Sequence, residues 1–248
     1  MFDLSYGGGP QCVLLTSGSI DVAERHLVAR CEYEAAFWLR DGSTVYVPKH
    51  CHRRKGRTER TTLSANKAQR WLGQPGYVIA LLDPTDLQRV RSPTLDILME
   101  AADYGARVFL ATPAMSRIPR PLRWLSSLTF HCQSPFAAGT CIRGLLTLSD
   151  GSCVPNYSFK DMVELFGHGA SVAVGCDFDM DVEAAINGAI QQVDAVGAVD
   201  TQMLVIEAPR HLTWGAAIDA AGEFDGPCVL NMIGTRALTL ATCLRKLT

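Results

Sequence analysis

A continuous apolar run, Tyr77-Val78-Ile79-Ala80-Leu81-Leu82, and a second strand-like run, Arg107-Val108-Phe109-Leu110-Ala111, flank a single helical pattern, and this order constrains the fold more than any other feature of the chain. An apolar run without polar alternation reads as a strand covered on both faces, the habit of parallel sheets. Between the runs, Ser92-Pro93 predicts a helix start, because proline at the first helical position gives up an N–H that has no partner there anyway, and Gly105 predicts its stop after Tyr104. Strand, helix, strand in this order is a βαβ unit. The right-handed crossover rule makes a doubly wound parallel sheet the expected architecture.

The preceding segment adds a short run, Gln11 to Leu15, a turn Thr16-Ser17-Gly18-Ser19, and a helical pattern from Asp21 to about Cys31. A turn opening a helix offers backbone N–H groups to an anion, but with one glycine it reads as an ordinary β–α connection before a phosphate site. Glu34 to Leu39 and Thr44 to Val47 are strand-like and are joined through Asp41-Gly42, a hairpin turn or a simple connection. Ser64 to Leu72 reads as a short helix.

The segment Lys49 to Arg60 is strongly basic and includes Arg53, Arg54 and Lys55. It reads first as a solvated loop and second as a patch facing a partner, with a further basic loop at Arg117, Arg120 and Arg123. His50-Cys51-His52 offers soft-metal donors, but adjacent side chains rarely converge on one ion, and no metal is expected. Nine cysteines at wide spacings with no C-x-x-C pair point to reduced, mostly buried thiols. His131 alternates with apolar neighbours and reads as a half-buried histidine rather than a base or a ligand. A net charge of −2 gives no general reason to expect nucleic acid or an anionic membrane. With no long apolar run and no leader-like start, the expected setting is cytoplasmic.

Further on, Leu128 to Cys132 reads as a strand and Phe136 to Leu148 as a connecting helix weakened by Gly139 and Gly144. Then comes Val154-Pro155-Asn156-Tyr157-Ser158, a polar turn feeding a helix whose Phe159, Met162, Val163 and Phe166 fall on one face. Ser158 is the expected N-cap. Strands at Ala170–Gly175 and Thr201–Ala208 and helices at Asp181–Val193 and Thr213–Ala221 alternate. Cys228–Ile233 and Ala237–Cys243 are expected to close the chain as a strand pair.

This order of elements resembles FtsZ, the bacterial member of the tubulin superfamily. The resemblance is best from Thr140 to Ala221, where Ile142-Arg143-Gly144-Leu145-Leu146 is similar to the end of the family's central helix. Asn156-Tyr157-Ser158-Phe159-Lys160-Asp161 is similar to its synergy loop, which one subunit places over its neighbour's nucleotide. It implies an α/β, FtsZ/tubulin-like fold: a parallel Rossmann-like sheet domain over residues 1–135, a short central helix and turn over 136–153, and a smaller α/β activation-type domain over 154–248.

The departures from the family carry the functional expectation. Asp83-Pro84-Thr85-Asp86 stands where the family has a run of glycines cradling phosphate, and it brings two negative charges and a proline lacking an N–H. The region before the central helix is shorter than the family's, and Phe136-Ala137-Ala138-Gly139 lacks the Asn that contacts guanine there. In the loop, Ser158 replaces the first acid, a poorer group for orienting an attacking water, while Asp161 keeps the second. Asp161 reads equally as a helix first-turn acid. The expectation is a non-catalytic pseudo-GTPase, with no cofactor, that binds a protein partner through Asn156, Ser158, Lys160 and Asp161 and caps or inhibits FtsZ-type filaments. The partner is expected to be FtsZ or another polymerising or nucleotide-hydrolysing protein. One alternative is an adaptor or inhibitor, of the kind a mobile element carries, that grips an acidic protein through the basic loops. Another is a residual nucleotide hydrolase using Thr16-Ser17-Gly18-Ser19.

Overall fold

The computed structural model describes residues 12–16, 33–38, 44–48, 59–62, 76–82, 93–112, 118, 120–149, 153–194, 201–209, 211–232 and 238–247. The chain divides into two compact units, Met1–Thr112 with Ser116–Ser127, and Pro113–Met115 with Leu128–Thr248.

In the first unit, strands β1 (Cys12–Thr16), β2 (Tyr33–Trp38), β3 (Thr44–Pro48), β4 (Glu59–Thr62), β5 (Tyr77–Leu81) and β6 (Arg107–Thr112) lie in the order β4-β2-β3-β1-β5-β6. Strands β1, β5 and β6 are parallel neighbours, and helix α1 (Pro93–Asp103) connects β5 to β6, as the two runs require. Both faces of β5 are buried. Val78, Ala80 and Leu82 pack with Ile97, Leu98, Ala101 and, from the short helix α2 (Arg120–Leu125), Leu122, while Ile79 and Leu81 are buried on the other face. Gly105 ends α1 at φ +86°, with its N–H bonded to the Ala102 carbonyl at 2.9 Å. The parallel expectation is interrupted at β3, which is antiparallel to both β1 and β2, and resumes between β2 and β4. Residues 39–43 are too few for a crossover, so β2 can return only as the arm of a hairpin.

The second unit takes up β7 (Ser126–Cys132) from Leu128 onward. It continues through α3 (Pro135–Ser149), β8 (Cys153–Val154), α4 (Phe159–Phe166), β9 (Ala170–Asp179) and α5 (Val182–Asp194). Strand β10 (Gln202–Ala208), helix α6 (Trp214–Ala221) and strands β11 (Cys228–Met232) and β12 (Thr239–Lys246) complete it. Its strand order is β7-β9-β12-β10-β11-β8. The last two strands are not a pair: β10 lies between them, parallel to β11 and antiparallel to β12. The reason is α6, which makes β10-α6-β11 a crossover unit and leaves the other edge of β10 to the returning β12. Thr213 caps α6, its Oγ accepting the Ala216 N–H at 3.2 Å.

Strand alternation sorts the sheet's two faces. Ala173, Leu204, Ile206, Ala241 and Cys243 form one core with Ala185, Ile186 and Ala189 of α5 and Ala217 of α6. The opposite face meets α3, where the Cys176 thiol donates to the Ala137 carbonyl at 3.6 Å and the α-carbon of Gly144 faces Val205. Helix α3 runs through Gly139 and Gly144 without a break because Ala137, Ala138, Cys141, Ile142, Leu145 and Leu148 are all buried, and packing outweighs the propensity cost of two glycines. On the other side, α5 sits close to β9. A β-carbon on Gly175 would lie 2.1 Å from the Ala189 carbonyl oxygen, so that approach needs glycine. No helix among the described residues is long and apolar enough to cross a membrane.

Candidate partner-binding loop

Strand β8 pairs with β11 through Val154 opposite Leu230 and Cys153 opposite Asn231, a two-residue strand too short to show as a sequence pattern. The chain then turns through Pro155 and Asn156 into α4. Buried Cys153 holds the turn from inside: its sulfur accepts the Tyr157 N–H at 3.5 Å, and its thiol lies 3.6 Å from the Tyr157 carbonyl oxygen. Tyr157 is half-buried, and its hydroxyl donates to the Asp161 carbonyl at 3.3 Å. Burial raises its pKa, helped by the negative charge of Asp161 and Glu164.

Ser158 is the N-cap of α4, as expected, and forms a full capping box with Asp161. The Ser158 Oγ accepts the Asp161 N–H at 3.3 Å, and the Asp161 Oδ2 accepts the Ser158 N–H at 2.8 Å and the Ser158 hydroxyl at 2.6 Å. These bonds, the hydroxyl's first, hold the Asp161 carboxyl below the usual carboxylate range. Phe159, Met162 and Phe166 are buried, Val163 only partly so. The helix is therefore anchored by three apolar side chains while its first turn is locked by side-chain hydrogen bonds.

The four loop residues singled out by sequence thus share one turn but divide into two pairs. Ser158 and Asp161 bond each other, whereas Asn156 and Lys160 are exposed. Lys160 pairs with Glu164 at 3.6 Å, an exposed pair worth well under about 1 kcal/mol, which leaves its ammonium available to a partner. Arg53, Arg54 and Lys55 lie outside the described residues, as do His50-Cys51-His52, Ser17-Gly18-Ser19 and Asp83-Pro84-Thr85-Asp86. Thr16 ends β1 and is buried, and Leu82, immediately before Asp83, donates its N–H to the Ala111 carbonyl at 2.9 Å. His131 is buried on β7. Of the second basic loop, Arg120 and Arg123 are exposed on α2 beside Trp124, which is 80% exposed.

Sequence reading missed a buried ion pair in the second unit. Arg143 on α3 meets Glu207 on β10, with side-chain exposures of 12% and 4%. Burial pushes the Glu207 carboxyl up to about 7, even though Arg143 pulls it down. The signal was present as one cation and one anion inside otherwise apolar stretches, but nothing in the sequence pairs them. Arg245, also buried, clips the end of α5 by donating to the Val193 carbonyl at 3.2 Å and the Asp194 carboxylate at 2.7 Å. Among the described residues no cluster of three His, Cys, Asp or Glu side chains is placed to hold a metal ion.

No protein-family model matches the chain, and no curated protein matches it in sequence. Solved structures do. A point mutant of FtsZ from M. jannaschii matches over 73% of this chain and 68% of its own, with a TM-score of 0.55 and 10% identity. CetZ from Methanosaeta thermophila strain DSM 6194 matches over 73% of this chain and 55% of its own at 15% identity, with a TM-score of 0.35 that carries no weight by itself. At such identities the likeness concerns architecture, and the architecture is FtsZ/tubulin-like.

Proposed function

We propose that this chain is a non-catalytic FtsZ-like protein that docks on a protein partner through the turn Asn156 to Asp161 and so caps or inhibits an FtsZ-type filament. One observation carries the reading: Asp83-Pro84-Thr85-Asp86 comes one residue after β5, where the family resemblance calls for a glycine-rich phosphate cradle. Two carboxylates beside a phosphate chain repel it, and a proline withdraws one backbone donor. A further support is the engagement of Asp161 in the capping box, which occupies the remaining loop acid with its own helix end. A subunit with a docking turn and no nucleotide face joins a filament end and offers nothing for the next subunit to add to.

Light scattering of polymerising FtsZ with an equimolar amount of this protein tests the proposal. Reduced or shortened polymers are expected, and unchanged polymerisation overturns it. Calorimetry with GTP and ATP tests the other half, since micromolar binding of either nucleotide contradicts a lost site. Ser158→Asp restores an acid, while setting a second carboxylate against that of Asp161, and it is expected to give the protein an ability to stimulate a partner's GTPase.

A second reading has its own observation. Trp124, 80% exposed beside the exposed Arg120 and Arg123 on α2, has the make-up of an interface anchor for an acidic protein. Arg120→Glu with Arg123→Glu abolishes partner binding under that reading and leaves filament capping unchanged under the first.

A further inference from the structure

Within the second unit, the sheet face that meets α3 continues past the helix's beginning. Cys176 is covered by the first turn of α3, and Phe178, two residues on and on the same face, packs edge-on against Phe136 with ring centroids 5.7 Å apart. There the cover ends. Phe178 is 52% exposed and Met180 75% exposed. The register of β12 on β9 sets Leu240 opposite Phe178 and Thr239 opposite Asp179, so that Leu238, 43% exposed, stands one residue further, across from Met180. A sheet face of this kind is ordinarily closed by a second layer, and large apolar side chains grouped in the open mark contact sites.

The turn that rims the end of this face is acidic. Asp177 alternates with Phe178 and lies against Gly188 of α5 on the other face, but Asp179 and Asp181 flank Met180, Glu183 follows, and none of these three has an ion pair among the described residues. Asp179 and Asp181 accept backbone N–H groups of the turn and of the start of α5, which fixes their positions and leaves their charge uncompensated. The place is also distinct from the Asn156 turn. Strands β12, β10 and β11 separate β9 from β8, whose chain enters the turn after Val154.

We infer that the open face formed by Phe178, Met180 and Leu238 docks an amphipathic helical segment of a partner protein, apolar on one side and flanked by Lys or Arg. Such a segment extends the layer that α3 begins, and its cations meet the acidic rim. Since β10 and β11 stand between the two docking places, a partner held here leaves the Asn156 turn free.

The test uses the full chain and a labelled amphipathic peptide of Leu and Lys, with a Leu and Glu peptide of the same apolar pattern as control, read by fluorescence anisotropy. The Leu/Lys peptide is expected to bind, more weakly as salt rises, and the Leu/Glu peptide to fail. Met180→Ser with Leu238→Ser, both on exposed side chains, is expected to weaken binding about tenfold or more, as loss of interface anchors does, with an unchanged circular dichroism spectrum. Asp179→Asn with Glu183→Gln is expected to remove most of the salt dependence. Equal affinity for both peptides, no binding of either, or affinity indifferent to Met180 and Leu238 overturns the inference. Substitutions at Asn156 and Lys160 leave this binding unchanged, which separates its failure from that of the filament-capping reading.

Discussion

Replacing Arg143 by Met removes the cation of the buried pair and keeps most of the side-chain volume. The partner left behind is Glu207, 4% exposed, so above neutral pH the variant must bury an uncompensated carboxylate or hold a proton against the solution. Breaking such a pair costs about 3–5 kcal/mol. The cost depends on pH, and its sign follows from the raised pKa. In the unfolded chain Glu207 titrates near its ordinary 4.5; folded, it titrates near 7. Between those values the folded protein holds a proton that the unfolded chain has released. The stability contributed by this group is therefore full below 4.5 and is lost as pH rises to about 7, on the order of 3 kcal/mol in all. In the variant the folded pKa rises further and the loss continues to higher pH. At a pH of about 5, Glu207 is largely protonated in both folded proteins, and Arg143→Met costs mainly packing and a hydrogen bond, about 1–2 kcal/mol. Urea unfolding followed by circular dichroism at both pH values measures the difference. A loss of the same size in acid and above neutrality would refute the reasoning, because it would mean that the folded protein already carries Glu207 charged without help from Arg143. Arg143→Met combined with Glu207→Leu supplies the complementary arm, with most of the stability expected to return at every pH.

Two glycines of the second unit should respond in opposite directions. Gly175→Ala puts a methyl group 2.1 Å from a backbone oxygen of α5, which cannot swing aside, and is expected to destabilise by at least about 2 kcal/mol in the same urea assay. Gly144→Ala places its methyl at an ordinary 3.6 Å from Val205 inside a long helix and is expected to stabilise by up to about 1 kcal/mol; a loss of stability there would show that α3 and β10 need the closer approach. Ser158→Ala removes the cap of α4 and is expected to cost about 1 kcal/mol. The same substitution frees the Asp161 carboxylate from the hydroxyl that holds its pKa down, so Asp161 should titrate at higher pH by NMR, and an unmoved titration would show that the backbone N–H alone sets it.

What the sequence disclosed and what it withheld follow from the range of the interactions. Periodicity and termini are local, so β5, α1 and β6, the glycine stop at Gly105 and the Ser158 cap could all be read directly. Pairing is not local. Nothing in Cys228–Met232 or Thr239–Lys246 states that β10 will separate them, because that depends on which edge of β10 each strand reaches first. The Arg143–Glu207 pair joins residues distant in sequence and was invisible for the same reason. The candidate loop lies between these cases. Its helix cap was legible, but its rigidity comes from Cys153 and Tyr157, a thiol and a phenol that no pattern marks as structural. That division bears on the proposed role. A turn evolved to position an attacking water needs its acids free, whereas here Ser158 and Asp161 bond each other while Asn156 and Lys160 are exposed. A rigid turn with its polar ends on view suits recognition of another surface, and rigidity lowers the entropic cost of forming that contact. Asn156→Ala and Lys160→Glu should therefore weaken inhibition of filament growth without changing the stability of the fold, while Ser158→Ala should weaken it only as far as it loosens the turn.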